Sequence, residues 1–313
     1  MSMLASCFGV FFLDLLRSLN FDGGFPAALL QGNTMVTTDY RENGRHLLFG
    51  RKTGKVLLPH RSRHLYGYDV YARRATAQYY GNEEGVGRAV RAVVAQGLDR
   101  EDLFVTTKLR SSGYRAGLRA IDESLTALDI GAIDLMLIHW PQGRDTGTWR
   151  ALEEAVSAGR LRAIGLSNFY GAELAEIMGC ADLAPAVDQV EQHVLYQQRR
   201  LRRALAHSPT RLEAWGPLGR GGDSVVRHPV LTGIGRRHGA SAAQVALAFQ
   251  VATGVITIPK TVHRERMVEN LAAADLVLSA EELERVAALD TGRCGGWPAH
   301  PEQDYDPADY PFR

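Results

Sequence analysis

Residues 102–141 read DLFVTTKLRSSGYRAGLRAIDESLTALDIGAIDLMLIHWP and hold one complete strand, helix, strand unit. FVTTK (104–108) and LMLIH (135–139) are short apolar or β-branched runs that each end on a polar residue. Between them Leu118, Ile121, Leu125 and Leu128 share one face at helical spacing. An unbroken run such as LMLI suits a strand covered on both faces, as a parallel sheet requires. Upstream, Val86, Val90, Val93 and Val94 make a second amphipathic stripe that stops before Gly97. Downstream, the alternation continues through AIGLSN (163–168), AVDQVE (186–191), RLEAW (211–215) and VITIPK (255–260). Ser241 with Gln244, and Ser279 with Glu282, have the spacing of capping boxes and open two further helices.

Strand and helix alternating over this length imply βα units. The six visible units need two more upstream to close an eight-stranded barrel of ~250 residues, so the expected fold is α/β, a single (β/α)8 TIM barrel over residues 1–313. Barrels of this kind work at the C-terminal ends of their strands. Lys108, His139, Asn168, Gln189, Trp215 and Lys260 end their runs and are expected to share that rim.

Composition bounds the partners. With 45% hydrophobic and 23% charged residues, the 313-residue chain is ordinary for a globular protein. Its 36 basic and 35 acidic residues give a net charge of +1, so neither nucleic acid nor an anionic membrane surface is expected as a partner. Cys7, Cys180 and Cys294 are odd in number and far apart, which fits reduced thiols in a cytoplasm and gives no metal site. MLASCFGVFFLDLL (3–16) is too short to span a bilayer, lacks a basic leader and is broken by Asp14. It reads as a buried strand or helix.

Seven stretches then carry a resemblance. TAQYYGNEEGVGRAV (76–90), DLFVTTKL (102–109), IDLMLIHWP (133–141), GRLRAIGLSNF (159–169), AVDQVEQHVLYQQ (186–198), LEAWGPLGRG (212–221) and VITIPKTVHRERMVENL (255–271) follow in order. In this they resemble the aldo-keto reductases, and among those the bacterial 2,5-diketogluconate reductase type. The resemblance covers residues 76–290. Residues 1–75 diverge from the pattern, and 291–313 form a tail expected near the substrate pocket.

The resemblance implies a (β/α)8 barrel that binds NADPH without a GxGxxG turn and reduces small aldehydes or ketones. A monomer is the working expectation. Tyr80 matches the general acid, Lys108 the charge beside it, His139 the hydrogen-bond donor to the substrate oxygen and Trp140 a wall of the pocket. These types suit the chemistry: hydride addition to a carbonyl builds negative charge on oxygen, which needs a proton donor and nearby positive charge or hydrogen-bond donors. An ammonium close to the phenol is expected to ease its ionisation. Tyr79 is adjacent, but the family pattern places its tyrosine two residues before Asn82, which selects Tyr80.

Cofactor contacts follow the same match. Ser167, Asn168 and Gln189 fall at the nicotinamide carboxamide positions and Trp215 at the stacking aromatic. Gly216, Pro217 and Leu218 fall in the loop after that strand. Lys260, Thr261 and Arg266 fall at the adenosine 2′-phosphate site, with Val262 also at a cofactor-binding position, and Glu269 and Asn270 at adenine contacts. Two small departures are Gly216 in place of a serine and Asp188 in place of an asparagine.

The large departure lies upstream. The family pattern GYRHIDTA is replaced by GYDVYARRATA, so Ala75 stands where an aspartate would pair with Lys108. Loss of one member of a buried ion pair typically costs ~3–5 kcal/mol. Reduced turnover is the expected result, and a catalytically weak NADPH-binding sensor or interaction protein is the alternative. Arg73 and Arg74 stand at positions expected to be buried in strand two. LNFDGGFPAALLQGNT (19–34) is similar to the family's opening hairpin and first strand, while 35–74 carry no match.

Overall fold

The structure, a computed structural model, describes residues 35–37, 72–221, 223–292 and 294–295. The described residues form two compact units, the first holding 35–37, 72–164 and 260–267, the second 165–221, 223–259, 268–292 and 294–295. The expected first strand within 19–34, the apolar segment 3–16, and Cys7 lie outside the described residues.

In the first unit, strand β1 (Met35–Thr37) pairs with β2 (Ala72–Ala75), which pairs with β3 (Leu103–Leu109), which pairs with β4 (Ile133–Ile138). The last two pairings are parallel, whereas β1 runs antiparallel to β2 and so is not the opening parallel strand of a βα unit. Despite its two arginines, ARRA does form a strand, in register from Ala72 opposite Leu103 to Ala75 opposite Thr106. All six residues of β4 are buried, as its unbroken apolar run requires.

Helix Glu83–Val94 buries Val86, Val90 and Val93, with Gly97 at φ +100° just beyond it. Its Gly87 meets the helix Tyr114–Leu128 so closely that a Cβ there would stand 1.8 Å from the Leu128 carbonyl oxygen. Only glycine fits that crossing. The second helix buries Gly117, Ala120, Ile121, Ser124 and Leu128, leaving Leu118 and Leu125 at its margin. At the N-terminal ends of the strands, buried Asp134 accepts from Arg100 at 2.7 Å and from the Val105 N–H at 2.8 Å, with Arg162 at 3.2 Å. Burial pushes the Asp134 carboxyl up, opposed by the Arg100 charge and these hydrogen bonds.

Strand β5 (Leu161–Ser167) passes from the first unit into the second, where it pairs with β6 (Val187–Glu191), β6 with β7 (Arg211–Trp215) and β7 with β8 (Ile256–Thr257), all parallel. The expected strand over 255–260 is therefore only two residues long. Ile258 still donates to the Ala214 carbonyl at 3.2 Å, but Pro259 has no N–H with which to continue the ladder. Ser241 and Ser279 each cap a helix, Ala242–Ala252 and Ala280–Ala287, with both reciprocal bonds of the capping box formed. These helices, with Pro229–His238, pack Val194, Val225, Leu231, Ile234, Val245, Phe249 and Val286 into one apolar cluster.

Among the described residues, no helix is long and apolar enough to cross a membrane, and no three His, Cys, Asp or Glu side chains cluster as a metal site. Cys180 and Cys294 are half-buried, and the Cys180 thiol donates to the Ile177 carbonyl at 3.5 Å.

Candidate active site

The first unit brings Tyr80, Lys108, His139 and Trp140 together. Beyond β2 the ladder is extended by Thr76, whose N–H donates to the Thr106 carbonyl at 2.8 Å. The chain then turns through the short 3-10 helix Gln78–Tyr80 and leaves it at Gly81, left-handed at φ +63°. Gln78 locks this turn. Its Nε2 donates to the Ala120 carbonyl at 2.7 Å and to Ser124 Oγ at 3.0 Å, while Oε1 accepts from the Arg110 N–H at 3.0 Å. Thr76 Oγ1 also donates to Asn82 Oδ1.

Lys108 lies on β3, only 1% exposed. Its Nζ donates to the Thr76 carbonyl at 3.3 Å and stands 5.3 Å from the Tyr80 ring centroid. His139 follows β4, held by its N–H to the Leu109 carbonyl at 3.2 Å. Its ring meets that of Tyr80 edge-on, with centroids 5.8 Å apart, and lies stacked at 6.4 Å from Trp140. Tyr79 is set differently: it is 64% exposed, with the Arg110 guanidinium over its ring at 4.8 Å. Ala75 is buried beside this group and supplies no carboxylate.

Burial raises the Tyr80 pKa. The direction is opposite to the eased ionisation expected from a nearby ammonium, and its cause is burial. A phenol of raised pKa keeps its proton until a stronger base develops next to it. His139 is shifted the other way, lowered to about 3 by burial first and by the charges of Lys108 and Arg110 second. It is therefore a neutral imidazole at working pH.

An acid-stability effect follows from that shift. The unfolded chain protonates this histidine below ~6.5, whereas the folded one resists until about 3, so stability present above pH ~6.5 is lost as pH falls through that window. His139→Gln is expected to narrow the fall in Tm between pH 7 and pH 4.5. An unchanged fall would show that other groups govern acid lability.

The second unit brings Ser167, Asn168, Gln189 and Trp215 together. Ser167 ends β5, while Asn168 is just past it in a left-handed turn at φ +63° with its N–H on the Gln189 carbonyl at 3.0 Å. Asn168 Nδ2 donates to Ser167 Oγ at 2.9 Å and Oδ1 accepts from Trp215 Nε1 at 2.9 Å. Gln189 Nε2 donates to Glu213 Oε1 at 2.5 Å. Glu213 was not legible as a site residue from the sequence, since its partner is 24 residues away across the ladder. In the loop after β7, Gly216 is left-handed, the Pro217 carbonyl accepts from Gln250 Nε2 at 3.0 Å, and Leu218 packs on the apolar cluster. The Arg220 guanidinium stands 5.6 Å from the Trp215 ring centroid.

The remaining matched residues surround the helix Arg264–Ala272. In the first unit, Lys260 and Arg266 are exposed, Val262 is half-buried and Thr261 Oγ1 accepts from the His263 N–H at 3.1 Å. In the second, Asn270 is buried and the Glu269 carboxylate accepts from Ser241 Oγ, so it is tied to a helix cap.

Asp188, next to Gln189, is fully buried, with Oδ2 lacking a hydrogen-bond partner among the described residues and Oδ1 at 3.5 Å from the Phe169 N–H. Burial holds its carboxyl well above the ordinary carboxylate range. The unfolded chain releases that proton above ~3.9 while the folded chain keeps it, so stability present below pH ~3.9 is lost as pH rises towards the folded pKa. Asp188→Asn removes this loss. It is expected to gain ~1–3 kcal/mol at pH 7, an increase in Tm of several degrees, and nothing at pH 3.5. Equal gains at both pH values in thermal denaturation would refute an ionisation origin.

A family model described as Aldo/keto reductase family matches residues 75–291. The chain is 41% identical over 219 residues to a glyoxal reductase of Bacillus subtilis, covering 69% of this chain and 77% of that protein. It is 35% identical over 221 residues to the methylglyoxal reductase DkgA of Yersinia pestis, covering 70% and 79%. Among solved structures, an aspartate-to-alanine variant of Gox0644 in complex with NADPH is 37% identical with a TM-score of 0.65, covering 74% of this chain and 83% of that one. The chain belongs to the Aldo/keto reductase family, whose fold is the (β/α)8 barrel.

Proposed function

We propose that this protein reduces small aldehydes or ketones to alcohols with NADPH, Tyr80 giving the proton to the carbonyl oxygen. The observation that carries this is the grouping of a half-buried phenol, a buried ammonium and a neutral imidazole within one cluster. As hydride arrives, the substrate oxygen becomes basic enough to take the Tyr80 proton. The fixed charge of Lys108 then stabilises the phenolate left behind. His139, neutral, donates one ring N–H to the same oxygen and orients it without competing as an acid, and Trp140 walls the pocket. Glyoxal and methylglyoxal, named for two relatives, are the first substrates to try.

When bound, the nicotinamide supplies the hydride. The second unit fits its carboxamide by chemistry: Asn168 and Ser167 offer donors, and Gln189, its amino end taken by Glu213, offers an acceptor. Trp215 is the stacking ring. Gly216, Pro217 and Leu218 form the loop beside it. Lys260, Thr261 and Arg266 would hold the 2′-phosphate, with Val262 as a neighbouring cofactor-binding position, and Glu269 and Asn270 the adenine. Two cations there favour NADPH over NADH.

Buried Ala75 supports a second reading, a weak enzyme that binds NADPH as a sensor. Fluorescence titration with NADPH and NADH, followed by NADPH consumption with glyoxal, separates the two. Tight NADPH binding with turnover supports the reductase; tight binding without turnover supports the sensor; absence of binding overturns both.

A further inference from the structure

We propose that Glu213 is a positioning residue that fixes the Gln189 amide with its carbonyl end towards the nicotinamide, so that the protein selects the amino half of the carboxamide. The inference rests on the NADPH-binding reading above. Gln189 and Glu213 are direct partners in the β6 and β7 ladder, so their side chains leave the sheet on the same face. Both are almost fully buried, at 2% and 1% exposure, and Gln189 Nε2 donates to Glu213 Oε1 at 2.5 Å.

A glutamine amide is nearly symmetric in shape, and either end can point either way. A carboxylate accepts only, so Glu213 admits the amino end and rejects the carbonyl end. Oε1 of Gln189 is thereby left to face the other way as an acceptor. Asn168 is oriented by an equivalent device of opposite sense. Its Oδ1 is occupied by the Trp215 indole N–H, which leaves Nδ2 as a donor beside Ser167. The two amides thus present an acceptor and a donor, the complement of a carboxamide's amino and carbonyl ends.

The test uses two cofactors, NADPH and its 3-acetylpyridine analogue, in which a methyl group replaces the carboxamide amino group. Dissociation constants are measured by fluorescence titration for the wild type, Glu213→Gln and Glu213→Asp. The wild type is expected to bind NADPH about tenfold more tightly than the analogue, the worth of one well-placed hydrogen bond. In Glu213→Gln, whose neutral amide accepts either end of Gln189, NADPH is expected to weaken several-fold with the analogue unchanged, so that the ratio approaches one. Glu213→Asp keeps the acceptor and is expected to retain a ratio above that of Glu213→Gln. Should Glu213→Gln fail to fold, Glu213→Met takes its place with the same expected ratio.

Equal weakening of both cofactors would assign Glu213 a merely structural role and overturn the proposal. A wild type that binds NADPH but does not discriminate overturns it as well. A wild type that binds neither cofactor overturns the underlying reading, a result distinguishable from the other two.

Discussion

Tyr80→Phe is expected to lower kcat for glyoxal reduction by ~10²–10⁴-fold while leaving NADPH affinity within about twofold. The substitution removes one hydroxyl and keeps the ring against His139 and Lys108. Packing of the turn should survive, because Gln78 anchors it from the other side through Ala120, Ser124 and Arg110. The loss therefore falls on the proton transfer itself. Steady-state kinetics with glyoxal and a parallel NADPH titration check it. The neighbouring Tyr79→Phe is the control, and an equal loss there would remove Tyr80 from the role. Since His139 is neutral down to about pH 3, the kcat profile of the wild type should show no histidine limb between pH 5 and 8.

Ala75→Asp is expected to raise kcat about tenfold or more. Ala75 lies on β2 opposite Thr106, with Lys108 two residues further along β3. The Lys108 ammonium donates to the neutral Thr76 carbonyl at 3.3 Å, and a carboxylate is a stronger partner for it. Buried ion pairs lose ~3–5 kcal/mol when one member is removed. A gain of about 1.4 kcal/mol in the placement of Lys108 at the transition state corresponds to about tenfold in rate. Comparing Ala75→Asp, Lys108→Met and the double variant in one cycle isolates the coupling. A gain that persists without Lys108, or no gain in a folded Ala75→Asp protein, would show that this position does not limit turnover.

What the sequence disclosed and what it concealed divide along the range of the interactions. The strands LMLI and FVTT were readable because burial on both faces writes an unbroken apolar run. The caps at Ser241 and Ser279 were readable because donor and acceptor lie three residues apart. Gln78 and Glu213 were not, since their partners are 42, 46 and 24 residues away and only the folded sheet brings them near. Tyr80, Lys108 and His139 stood out through a family pattern, and the structure groups them. The upward Tyr80 shift is not legible in a motif, because burial arises only in the fold, and the VITIPK run overstates a two-residue strand although its own Pro259 marks the stop.

Asp134, gripped by Arg100, Arg162 and the Val105 N–H, sits at the start of its strand, while His139 and Trp140 follow the same strand's end. One strand length separates foundation from workshop. Under the reductase function proposed above, exchanging loops at the His139 end while the ionic anchor below is kept is expected to admit bulkier or more polar carbonyls, with Trp140 the first position to vary in directed evolution.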